Sequence, residues 1–154
     1  MELEIERYWQ QYLDSLPTDS PYRPKSYIAE GWGDGPEMAD ELGQLIAEKK
    51  KTATCSSLWE WESEGEPVPE IGLLTIVLDG KGLPLCIVET TEITHKRYDE
   101  VDAEFAAAEG EGDLSLQYWR DAHRTFFSRT LPKIDREFSP DMPLVCERFR
   151  VIYP

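Results

Sequence analysis

The sequence predicts an α+β fold in which helices pack around a small, mostly antiparallel sheet or barrel. Three observations lead there. Segments of helical period and segments rich in β-branched residues follow one another in the order helix, helix, strand, paired strands, helices, strand, without the regular alternation of a doubly wound parallel sheet. Two β-branched runs flank Asp79-Gly80-Lys81-Gly82, a glycine-bearing string suited to a hairpin bend. The chain has 154 residues, 40% hydrophobic and 11% aromatic, which is enough for one well-cored domain over 1–154 and too little for two.

Each element has a local reason. Over 2–16, Ile5, Tyr8, Trp9, Tyr12, Leu13 and Leu16 recur at helical spacing and Pro17 ends the pattern, so an amphipathic helix is predicted there. Prolines and glycines crowd 17–36 around Trp32, the mark of an ordered loop that the indole anchors. Asp34 or Gly35 then caps a second helix with Pro36 in its first position. Met38, Leu42, Leu45 and Ile46 share one face of it, and Lys49, Lys50 and Lys51 fall in its last turn, where cations favour the helix C-terminus. A strand is expected from Thr52 through Trp59, an acidic loop over 60–70, and antiparallel strands over 71–79 and 83–93. Residues 98–110 read as a short helix with Val101 and Phe105 inward, stopped at Gly110. Residues 112–129 read as a longer one, capped by Asp113, with Leu116, Trp119, His123 and Phe126 or Phe127 inward. A Val-, Phe-, Ile- and Tyr-rich strand closes the chain over 143–153.

Charge and composition exclude several functions. With 16 basic against 31 acidic residues the net charge is −15, which opposes duplex DNA and anionic membranes. The longest apolar run, 71–78, is far short of the roughly 20 residues a spanning helix needs. The acidic N-terminus does not resemble a secretory signal, so a cytoplasmic location is expected. Cys55, Cys86 and Cys146 are too widely spaced for a disulfide or zinc framework, and no cofactor is expected. Basic charge is local: Arg124, Arg129, Lys133, Arg136, Arg148 and Arg150 cluster late in the chain, beside the foci Lys49 to Lys51 and Lys96-Arg97.

Familiar catalytic strings are absent, and three groups remain. His95 and His123 lack local partners, and His123, on the inner face of its helix, reads as either a packing residue or a general base. Glu109, Glu111 and Asp113 alternate with Gly110 and Gly112. They are either helix punctuation and solvated acids or a cluster able to trade protons. Lys51 and Thr54 cross from a helix end into a strand. A lysine desolvated there would have a lowered pKa and could deprotonate a neighbouring hydroxyl. On a regular strand the two point to opposite faces, so cooperation requires Lys51 in the corner or beside a bulge.

Asp34-Gly35-Pro36 opening a helix, Lys51-Thr52-Ala53-Thr54-Cys55-Ser56, Glu109 to Leu116 with Trp119-Arg120 and His123, and the closing Phe149 to Tyr153 together resemble the bacterial ASCH-domain family over about 30–153. The resemblance implies a PUA-like small β-barrel with flanking helices and a cleft for RNA or a nucleoside. Some ASCH relatives are amidohydrolases that remove acyl groups from N4-acylated cytidines with a Lys, a Thr and a Glu, and others have been assigned ribonuclease activity. Matched by motif, Lys51, Thr54 and Glu111 take those three places, Glu109 being the competing match for the acid. Trp32, Arg120, His123 and Arg124 are the residues expected to hold the ligand. The sequence departs from the pattern at Lys49, where glycine is frequent, and at Cys55-Ser56, where smaller members carry an arginine.

Two functions follow as expectations. In one, Lys51 and Thr54 hydrolyse an acylated nucleoside while Glu111 shuttles the proton. In the other, the basic residues of 120–136 and Lys49 to Lys51 line a groove for single-stranded RNA, with Trp59 or Trp119 stacking on bases, either as a binding module or as a metal-independent ribonuclease.

Overall fold

The amphipathic spacing of 2–16 is realised as helix α1, Glu2–Asp14. The structure, a computed structural model, describes residues 2–19, 26–33 and 35–154; Asp34, one of the two expected caps, and much of the proline-rich loop lie outside them. Gly35 is the N-cap of α2, Pro36–Ala47, with Pro36 at its start and Ala39, Leu42, Gly43 and Ile46 buried. Strand β2, Ala53–Ser57, follows, and then β3, Leu74–Leu78, and β4, Pro84–Arg97. Helices α4, Ala103–Ala108, and α5, Leu116–Thr130, precede β5, Pro143–Tyr153.

Four local expectations are corrected. Residues Ile28–Glu30 form a short strand, β1, pairing parallel with β3, where only a loop is legible in the sequence. β2 stops at Ser57 and helix α3, Leu58–Glu64, replaces the rest of the expected strand and the start of the acidic loop. The reason is compositional: residues 58–64 hold no β-branched residue, and Gly65 in the left-handed region (φ 67°) closes the helix. The cap of α5 is Ser115, which accepts the Tyr118 N–H, while Asp113 accepts the N–H of Ser115 instead. Finally, α2 ends at Ala47, so the lysines lie beyond it.

The five strands form a mixed sheet in the order β1-β3-β4-β5-β2, antiparallel except at β1. It curls, because Glu30 on one edge strand and Thr54 on the other line the same cleft. Strand alternation divides its faces. On the convex side, Leu74, Ile76 and Ile87 pack under α1 through Tyr12, and Ala53, Leu144 and Cys146 pack under α4 and α5 through Phe105, Trp119 and Phe127. On the concave side, Val77, Cys86, Val88 and Phe149 are closed off by Ile46 of α2 and by Trp32. The rest of that face is polar and open, and the cleft sits there. This α+β, PUA-like arrangement is the one expected.

Candidate functional site

Lys51 lies in the corner between α2 and β2. Lys49 turns the chain there with φ 64°, and the N–H groups of Lys49 and Lys50 bond the carbonyls of Ile46 and Leu45, the Schellman arrangement that a glycine usually makes. Lysine at position 49 therefore leaves the helix exit intact. Opposite the corner, Glu109 is the C-cap of α4 and the chain bends through Gly110, φ 72°, where a Cβ would collide with the Lys50 carbonyl oxygen. Only glycine fits that approach, and it brings two carboxylates onto one amine.

The Lys51 ammonium is 1% exposed and donates to Glu109 Oε1 at 2.9 Å, the Glu109 carbonyl at 3.3 Å and Glu111 Oε2 at 3.1 Å. All three N–H donors are thereby used. The second Glu109 oxygen accepts the Trp119 indole N–H at 2.5 Å and lies 3.4 Å from His123 Nε2. His123 stacks on Trp119 with ring centroids 4.2 Å apart, its Nδ1 is 2.8 Å from the Trp119 carbonyl, and it is thus a packed, hydrogen-bonded residue. Burial alone would lower the pKa of Lys51, but Glu109 and Glu111 outweigh it and hold the amine above its ordinary value. Burial likewise opposes ionisation of Glu109, and Lys51, then His123, reverse this and hold the carboxyl below its usual range. The lysine expected to be a lowered-pKa base is an ammonium locked in an ion pair, because its corner faces two carboxylates.

Thr54 is placed elsewhere. Cys55 lies on the convex face near Glu109 and His123, so its neighbour Thr54 points to the concave face, directly across from Glu147. The structure therefore joins Lys51, Glu109 and Glu111, and sets Thr54 apart from them in the cleft. Trp32 lines that cleft. Arg120, His123 and Arg124 do not, and both arginines are exposed on α5. Lys51, being buried, cannot line an RNA groove, and Trp59 is covered by the Arg136 guanidinium at 4.7 Å.

The cleft encloses about 1270 Å³. Thr54, Thr75, Thr90 and Glu147 form its floor, Glu30 and Trp32 one rim, and Trp61 with Glu60, Glu64, Glu66 and Glu70 the other; no Lys or Arg is among the described lining residues. Trp32 is held edge-on to Phe149 and donates to Glu30 Oε1 at 2.9 Å, and Trp61 donates to Ser56 Oγ at 2.8 Å. Burial, and then Glu30, push the Glu147 carboxyl up to about 7; burial also raises Glu30, against the Trp32 hydrogen bond. Sequence reasoning missed Glu30, Glu147, Thr75 and Thr90. The available signal was period two in the strands, with polar residues interrupting apolar runs.

Cys55, Glu109 and His123 present ligand-type atoms within 4.8 Å of one another. Glu109 already has its cation in Lys51, and burial raises the Cys55 thiol well above its ordinary value, so the thiolate a zinc site requires is disfavoured. The trio is packing.

The comparisons agree with this fold. Residues 29–153 match the family model described as the ASCH domain. The crystal structure of an ASCH domain from Lactobacillus crispatus JV V101 is similar with a TM-score of 0.93 at 37% identity, covering 100% of this chain and 97% of that one. Protein EF3133 from Enterococcus faecalis V583, described under the family model DUF984, is similar with a TM-score of 0.84 at 38% identity, covering 99% and 90% respectively. No curated protein matches the sequence.

Proposed function

The chain belongs to the ASCH-domain family, and from that premise and the lining of the cleft we propose that it binds an unphosphorylated nucleoside or nucleobase-like molecule on the concave face of its sheet. One observation carries this: glutamates ring a floor of threonine hydroxyls, with two indoles held at the rims. Hydroxyls and carboxylates hydrogen-bond sugar and base edges, and the indoles offer faces for stacking. The same carboxylates repel a phosphate, so a nucleoside is favoured over a nucleotide or an RNA backbone.

Calorimetric titration with nucleosides, their 5′-monophosphates and a short single-stranded RNA tests the proposal. Nucleosides are expected to saturate one site, with the monophosphates weaker by at least about tenfold. RNA binding tighter than any nucleoside, weakening steeply as salt rises, would favour the RNA-binding alternative and overturn this reading.

A second reading, hydrolysis of an acylated nucleoside, is supported by the Thr54 hydroxyl, which has no hydrogen-bond partner among the described residues and lies across β2–β5 from a carboxyl titrating near neutrality. Such a carboxyl suits a general base. In that reading Lys51, its donors spent, holds the corner that presents Thr54. Thr54→Ala should abolish turnover of an N4-acylcytidine panel, and equal activity of this variant and the parent would remove the reading.

A further inference from the structure

The cleft floor holds more than a hydrogen-bonding surface. Thr75 and Thr90 are 3% and 5% exposed, yet neither hydroxyl bonds any described residue and both face the cleft. Their oxygens are not among the described side-chain atoms sealed from solvent without a partner, which are Ser57 Oγ and Thr130 Oγ1, so each can bond what enters the cleft. Glu147 on β5 and Glu30 on β1 line the same cleft, and the charge of Glu30 adds to burial in raising the Glu147 carboxyl. Glu30 Oε1 accepts the Trp32 indole N–H, and Oε2 has no partner among the described residues.

Resting on the reading of this cleft as the ligand site, we propose that its floor is a subsite for an organic cation, an alkylammonium or guanidinium group seated between Glu147 and Glu30. The Thr75 and Thr90 hydroxyls accept its remaining N–H bonds. The two carboxylates present only acceptors when ionised, and each threonine hydroxyl adds lone pairs beside its one O–H, so a group rich in donors and carrying positive charge is their complement. The Trp32 face at the rim adds attraction for the same charge. Burial first, and then the negative charge of Glu30, raise the Glu147 carboxyl, and a cation seated beside it would act in the opposite direction. Lys51 presents the contrast within this molecule: there a buried carboxylate has its cation, and its pKa is lowered.

The test compares n-butylguanidinium with n-butylurea, which share a shape and differ in charge, by calorimetry at pH 8. The cation is expected to bind at least about tenfold tighter than the urea. Glu147→Gln should shrink that ratio to below about threefold, and Thr90→Val should weaken the cation. Equal binding of the two probes, or a preference that survives Glu147→Gln, overturns the proposal. So does the absence of binding by either. Because these probes contain no nucleoside, their failure leaves the nucleoside titrations to decide the broader reading separately.

Discussion

Lys51 sits where removing a charge costs more than the charge contributes. With it gone, Glu109 would be a buried carboxylate facing one indole and one imidazole, and breaking a buried pair costs about 3–5 kcal/mol. Lys51→Met should lower stability by that amount in urea denaturation at pH 7. Adding Glu109→Leu should recover part of it, and no recovery would mean the lysine acts through packing alone. The pH dependence has a definite sign. Glu109 is lowered in the fold, so its contribution is present above the unfolded carboxyl value and is lost as pH falls through the folded one. Lys51 is raised, so its contribution is present below the ordinary lysine value and is lost as pH rises through the folded one.

At the scale of the element, the corner after α2 carries a visible strain. Lys49 occupies the left-handed region with φ 64°, which costs a residue with a Cβ about 1 kcal/mol relative to glycine. Lys49→Gly should therefore raise stability by about 1 kcal/mol while leaving ligand binding unchanged, as read by paired denaturation and calorimetry. A loss of stability would show that the Lys49 side chain does more than tolerate the turn. Gly110 is the reverse case, since a Cβ there collides with backbone that cannot retreat without opening the Lys51 pair. The alternation of glycine and acid in Glu109-Gly110-Glu111-Gly112 is thus folding chemistry at the glycines and ion pairing at the acids. Composition alone left both readings open.

At the scale of the whole molecule, six of the 31 acidic residues line the cleft and no Lys or Arg is among its described lining residues. Glu147, raised to about 7, favours the folded state most below the unfolded carboxyl value, and that stability is lost as pH rises through 7. Glu147→Gln should accordingly raise the melting temperature at pH 8 and change it little at pH 4, a gain of about 2 kcal/mol allowing for partial water access. A gain equal at both pH values would assign the effect to packing.

Local spacing determined most of the elements. The helical periods of 2–16 and 36–46, the hairpin at Asp79 to Gly82 and the β-rich ending required only neighbours within a turn or a strand to be read. The same local logic raised the objection that Lys51 and Thr54 face apart. Only the tertiary structure decided which partners those residues meet, because the contacts join positions 58 and 60 residues apart for Lys51 with Glu109 and Glu111. It also placed β1 beside β3 and carried Glu30, Thr54, Thr75, Thr90 and Glu147 from separate strands to one hollow. Whether a buried amine is base or locked cation depends on the field of groups gathered by sheet curvature, and no periodicity along the chain encodes that field.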